Sequence, residues 1–323
     1  MSSRIATVAR LRRPHAVPRE GVLVGVLVIE VIALAQLSPY FLNIDDLLGA
    51  AQFFVETGLM ALGMTLVIIV GGIDLSVGGS LALASVTLGF SYSAGAPLWF
   101  SILAAIGVST AGGFLNGYLT TRWAIQPLAI TLATGELFRG IAAAITNEGA
   151  VSTFPSWFNR IGQSQIGPMP AQLIVLVVAA TALWLALSRG RFGRHVYAIG
   201  INEEAARFSG IPVKRIKMLL YGITGFLVGI AAVIYTSRVS TARSDADIGI
   251  ELSVIAAVFL GGASFYGGAG TVLGTMLGVV IIALLQQGLL LVPNLDSNWT
   301  QVAIGAVMVA GVFANEFFRR GER

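Results

Sequence analysis

The chain has 323 residues, of which 11% are Asp, Glu, Lys or Arg and 56% hydrophobic, whereas an average soluble domain carries roughly 25% charged residues. That balance excludes most soluble folds and suits a polytopic membrane protein, since each spanning helix takes ~20 apolar residues to cross ~30 Å of hydrocarbon. The net charge is +4, with no cysteine and only His15 and His195, which excludes disulfides, thiol catalysis and Cys- or His-rich metal centres.

Residues 1–20 form a basic tail. The apolar stretch behind it ends in Ala33-Leu34-Ala35, which resembles a leader cleavage site. Glu30 interrupts that stretch, however, and a first span can start insertion by itself, so the segment is expected to stay. About ten apolar segments follow, near 21–37, 46–70, 77–92, 98–120, 127–146, 171–187, 218–236, 251–263, 270–292 and 299–318. The expectation is an all-α, polytopic protein of about ten transmembrane helices. A single transmembrane domain over 21–318 carries a polar loop at 188–217 and is followed by a short tail at 319–323. Segments 77–92 and 251–263 are short for a simple span and adjoin Gly-rich junctions, so breaks are expected there.

With both termini inside, sixteen of the twenty basic residues fall on the inner side and Arg160, Arg238 and Arg243 on the outer, as the positive-inside rule requires. The cytoplasmic termini rest on that count, and a bacterial-type plasma (inner) membrane is the expected location. Because the basic residues flank apolar segments, lipid and not nucleic acid is the expected partner.

The second and third apolar segments are joined by Gly71-Gly72-Ile73-Asp74-Leu75-Ser76-Val77-Gly78, where glycines permit positive φ or close contact and Asp74 and Ser76 are good N-cap types. Glu56, Asp74, Glu136 and Arg139 lie in apolar surroundings, as do Glu30 and Glu251, and ionisable groups in hydrocarbon are expected to face protein or water. Glu136 and Arg139, spaced i,i+3, can neutralise each other. Glu56 could cap, pair across helices or line a path, and Glu30 is expected to be solvated or interfacial.

The polar loop contains Asn202, Glu203, Glu204, Ala205, Ala206 and Arg207, then Ser209, Gly210 and Ile211. An N-cap type, an acidic first turn, a basic last turn and a Gly stop predict a short helix. Held between two spans and carrying small Ala205-Ala206, it is the right size to enter a groove on a cytoplasmic partner. A second Gly-rich junction, with Gly261, Gly262, Gly267, Gly268 and Gly270, echoes the first and leads into small-xxx-small spacing through Gly274 and Gly278, a packing face. The chain has no G-x-x-x-x-G-K-[ST] and no H-E-x-x-H, so it is expected neither to hydrolyse ATP nor to act as an enzyme.

Taken together, Gly71 to Gly78, Asn116-Gly117, the stretch from Gly193-Arg194 to Ile211 and the glycine series from Phe259 to Gly278 resemble the permease subunits of ribose-type ABC sugar importers. That family also includes branched-chain amino-acid permeases. The resemblance covers about residues 38–318. It implies a second permease subunit, two cytoplasmic ATPase subunits that bind ATP and Mg, and an extracytoplasmic sugar-binding protein, with no cofactor in this chain. It also implies that Gly200 to Ile211 form the helix coupled to the ATPase. Import would proceed by alternating access, with Glu56, Asp74, Ser76, Asn116, Glu136 and Arg139 as candidates for the path or its gate and Gly71, Gly72 and Gly78 for packing or hinging. The rival reading is a proton-coupled transporter using Glu56, Asp74 or Glu136. Ribose, galactose, arabinose, xylose, rhamnose and autoinducer-2 all remain open as substrates.

Overall fold

Apolar runs cut by Gly, Pro and charged clusters become helices, and each of the ten apolar segments carries one in the computed structural model. The structure describes residues 19–43, 47, 51–123, 125–147, 149–292 and 298–321, with side chains from Glu20 to Val309. The helices are α1 (Arg19–Leu37), α2 (Phe54–Ile69), α3 (Val77–Ser93), α4 (Leu98–Trp123), α5 (Pro127–Thr146), α6 (Ser156–Gln163), α7 (Leu173–Arg189), α8 (Arg191–Ile201), α9 (Glu203–Phe208), α10 (Val213–Val239), α11 (Ile250–Leu260), α12 (Val272–Leu290) and α13 (Asn298–Gly321). A single 3₁₀ turn, Ala51–Phe53, leads into α2.

Local chemistry sets several boundaries. Pro127 opens α5, where its missing N–H costs nothing, and Asn147 closes it at φ 45°. Ser240, at φ 55°, ends α10, and Gly249, at φ 89°, precedes α11. The all-α expectation needs one amendment, a hairpin of two-residue strands, β1 (Gln165–Ile166) and β2 (Met169–Pro170). The amphipathic helices α6 and α8 are also additions to the ten segments.

Among the described residues, six helical stretches are each long and apolar enough to cross a membrane: α1, Ala51–Ile69, α4, α5, α10 and α12. The pair α7 and α8, bent by 76° at Gly190, would make a seventh if taken as one span. At seventeen and eleven residues, α3 and α11 fall short on length.

The most enclosed element is α2, with fifteen of its sixteen residues buried. Leu176 of α7 packs over Gly58, Thr224 of α10 over Gly63, and the Thr65 hydroxyl meets that of Thr275 in α12 at 2.6 Å. Between α4 and α10 the backbones themselves touch. A Cβ added at Gly113 would overlap the Tyr221 carbonyl, one at Gly117 would meet Met218 Cα at 2.7 Å, and one at Gly229 would meet Ile106 Cα at 2.7 Å. Without a hydrophobic drive between helices in lipid, close packing and hydroxyl pairs such as Ser85–Thr236 at 2.8 Å supply the cohesion, at about 0.6 kcal/mol per polar pair. The small-xxx-small face acts as expected, since a side chain at Gly274 or Gly278 would overlap the carbonyls of Gly261 or Ala257 in α11.

Candidate coupling and gating site

The polar loop folds into two short helices. Gly190 is extended, which stops α7, and α8 then turns inward through Gly193, Val196 and Ile199, all buried. Asn202 is extended at φ −157°, and its Oδ1 accepts from the Ala205 amide at 2.9 Å, a true N-cap for α9. At the other end Gly210 sits at φ 80°, its amide donates to the Arg207 carbonyl, and the Ile211 amide donates to the Ala206 carbonyl. This is a Schellman closure, so the helix is fixed by the Asn202 side chain at one end and by its own backbone at the other.

Glu203 bridges two cations, accepting from Lys217 and, at 3.3 Å, from Arg207. Partial burial alone would raise its pKa, but Lys217 and Arg207 together hold the carboxyl below the usual Glu range. Ala206 is 4% exposed and packs inward, whereas Ala205 faces out. The pair is thus split between two faces and does not form one small surface. Two apolar side chains that sequence reasoning passed over project instead: Phe208, 84% exposed, and Ile201, 75% exposed.

Both Gly-rich junctions converge on this loop. The Gly268 amide donates to the Ile69 carbonyl at 2.8 Å, and Gly200 lies against both, so that a Cβ at 200 would overlap the Ile69 oxygen. Positive φ at Gly71 (77°), Gly267 (84°) and Gly268 (76°) lets three chain segments meet backbone to backbone. Tyr197 of α8 adds a hydrogen bond from its hydroxyl to the Gly270 carbonyl at 2.7 Å. Gly200→Ala should therefore lower the detergent-solubilised melting temperature and loosen the loop, whereas Gly210→Asn, which tolerates positive φ and meets open space, should leave it near wild type. Thermal unfolding of the two variants side by side checks this.

One turn deeper, Asp74 Oδ1 accepts from the Ser76 amide at 3.0 Å and from the Ser76 hydroxyl at 2.6 Å, while Asn116 Nδ2 donates to Ser76 Oγ at 2.7 Å. Neither residue caps α3 through its side chain as the sequence suggested, because both are used in this cluster. Thr131 of α5 ties in the same segment, donating to the Ile73 carbonyl and accepting from the Leu75 amide, each at 3.0 Å. Asp74, Ser76 and Asn116 are all buried, so in this conformation the cluster locks the junction to α4 and α5.

Two ion pairs, Glu56–Arg238 and Arg139–Glu251, run across helices. Glu56 at the start of α2 accepts from Arg238 Nε at 2.8 Å, and the guanidinium carbon lies 4.7 Å from the Phe53 ring centre and 5.5 Å from that of Tyr235. The expected Glu136–Arg139 pair is weak at 4.0 Å, with the Glu136 side chain 71% exposed. Arg139 turns inward to Glu251 of α11 at 3.7 Å, over Gly78, where any side chain would overlap the Glu251 carboxylate. A buried cation is better served by an enclosed carboxylate than by an exposed neighbour on its own helix. The Glu30 carboxylate oxygens are shielded from solvent, contrary to the expectation of a solvated group.

Comparison with known proteins bears directly on this arrangement. The family model described as branched-chain amino acid transport system / permease component matches residues 47–312. The chain belongs to this family. As a member of that permease family it is a transport component and not an enzyme. Similar relatives include the autoinducer 2 import system permease proteins LsrD of Klebsiella pneumoniae, 36% identical over 300 residues and 90% of each chain, and of Escherichia coli, 35% identical with 90% and 91% covered. A solved structure described as an inward-facing conformation of a putative metal-chelate type ABC transporter matches with a TM-score of 0.52 at 16% identity, over 92% of this chain and 99% of that one. At that identity the likeness extends to the fold, an ABC transporter permease architecture. Among the described residues no group of His, Cys, Asp and Glu is placed to hold a metal ion.

Proposed function

We propose that this permease subunit moves a monosaccharide or a similar furanose-like solute across the plasma membrane as part of an ATP-driven importer. In this reading the ten apolar segments are ten crossings with both termini cytoplasmic, and the loop at 188–217 docks on an ATPase subunit. A second permease subunit and an extracytoplasmic binding protein complete the machine. The LsrD relatives, named for autoinducer 2 import, favour a small polyol-like cargo over an amino acid.

The observation that carries the reading is the contact of Gly200 with Ile69 and Gly268. Displacing α9 pulls on both Gly-rich junctions at once, and those junctions set the ends of α2, α3, α11 and α12. A partner's nucleotide cycle could thus reach helices through a rigid connection, shifting the population of two states by differential affinity. The rival proton-coupled scheme would use Glu56, Asp74 or Glu136: Glu56 is ion-paired with Arg238, Asp74 accepts from Ser76, and Glu136, 4.0 Å from Arg139, is 71% exposed and outside the enclosed interior.

Reconstitution in proteoliposomes with co-purified partners tests the proposal. ATP-dependent sugar uptake is expected, and none from a proton gradient alone. Uptake on a proton gradient with no ATPase present would overturn it.

A further inference from the structure

A cavity of about 740 Å³ opens between the start of α2, the end of α10, α11, the end of α12 and the start of α13. The coupling helix precedes Val213 and the cavity includes Val239, so the two lie at opposite ends of α10, about 40 Å apart at 1.5 Å rise per residue. We propose that this cavity is a binding site for a small, neutral, polyhydroxylated solute. The solute class rests on the reading of the chain as a sugar-type importer subunit; the existence of the site rests on the cavity itself.

Its size falls within the range of about 300–1,000 Å³ typical of small-molecule sites. Its lining also has a consistent chemistry. The Phe53 and Tyr235 rings on its wall hold the Arg238 guanidinium, 4.7 and 5.5 Å from the ring centres, and Glu56 matches its charge, so the wall presents fixed N–H donors without demanding an anion. Asp247 adds an acceptor, Gln301 a donor and acceptor together, and Gln286 an amide oriented by its 3.1 Å bond to Ser253. Donors and acceptors beside apolar walls such as Leu252, Ile304 and Met308 complement hydroxyls carried on a C–H framework.

A simple packing gap filled by an acyl chain would leave these groups facing hydrocarbon, which is costly for each of them. None of the residues that tie the Gly-rich junctions together lines this cavity, so binding here is separable from coupling.

Two variants address the site without touching the coupling machinery. A Cβ at Gly305, on the cavity wall, meets nothing within 4 Å, so Gly305→Phe fills the space without a backbone clash. The double variant Gln286→Leu/Gln301→Leu removes polar arms while keeping bulk. Saturation-transfer NMR on the purified subunit in nanodiscs would be run with ribose, galactose, arabinose, xylose, rhamnose and autoinducer-2 singly. At least one should bind wild type and bind each variant about tenfold or more weakly, roughly the loss of one good hydrogen bond.

Unchanged binding in both variants, or no binding to wild type by any of the six, would overturn the proposal. So would native mass spectrometry finding a phospholipid lost on Gly305→Phe while sugar binding is absent. If Gly305→Phe elutes as misfolded protein, the Gln double variant decides. ATP-driven uptake measured in proteoliposomes with the co-purified partners separates this inference from the importer reading. Uptake without subunit binding sinks the cavity site alone, and binding without uptake sinks the importer alone.

Discussion

Phe208→Ala should weaken binding of the ATPase subunit by roughly 30-fold or more while leaving the permease itself unaltered. The side chain is 84% exposed at the end of α9, and Ile201, 75% exposed, stands just ahead of that helix. Because the Asn202 side-chain cap and the Schellman closure at Gly210 fix α9 locally, truncating an outward aromatic removes no internal support. An aromatic anchor on a pre-ordered helix is the kind of residue whose loss costs about 2 kcal/mol or more at an interface, and 2 kcal/mol is close to 30-fold. Affinity of the co-expressed ATPase for nanodisc-embedded permease, measured with the melting temperature of the permease alone, checks both halves. Phe208→Leu should recover part of the loss. Equal affinity for wild type and Phe208→Ala would remove α9 from the docking surface. Ala205→Trp tests the same face, whereas Ala206→Trp would not, because Ala206 packs inward and its replacement would disturb the subunit itself.

The helices were legible because apolar runs of the right length are cut by residues that stop them, and each expected segment holds one. The capped helix at 203–208 was equally legible, since Asn202 and Gly210 do the same work locally whatever surrounds them. What sequence alone missed is long-range or amphipathic. Helix α8 reads as a polar loop because Arg191, Arg194 and His195 interrupt its apolar positions, although Gly193, Val196 and Ile199 recur every three residues and are buried. The i,i+3 rule paired Arg139 with Glu136, but the guanidinium follows burial to Glu251, more than a hundred residues away in sequence. The echo between the two Gly-rich junctions was visible as composition. That they touch each other and Gly200 follows only from how α2, α8 and α12 pack.

The same long-range logic makes the Glu56–Arg238 pair the most sensitive point at the end of the bundle away from the coupling loop. Glu56 is 1% exposed and Arg238 14%, on helices separated by 182 residues of chain, with the guanidinium also stacked on Phe53 and Tyr235. Removing one partner strands the other in a poorly solvated site, so Arg238→Leu and Glu56→Leu should each destabilise by about 3–5 kcal/mol. Replacing both together should cost much less than the sum, because an apolar pair of similar bulk needs no compensation there. Equilibrium unfolding of the four proteins in mixed micelles gives the cycle. A coupling energy near zero would mean that Arg238 is held by the Phe53 and Tyr235 rings and not by Glu56. A large one would mean that the salt bridge clamps α2 to α10 at this end, while the Gly200 contacts link α2 to the coupling loop at the other. In that case a movement started at α9 reaches one end of α2 through the Gly200 contacts and is resisted at the other by Arg238.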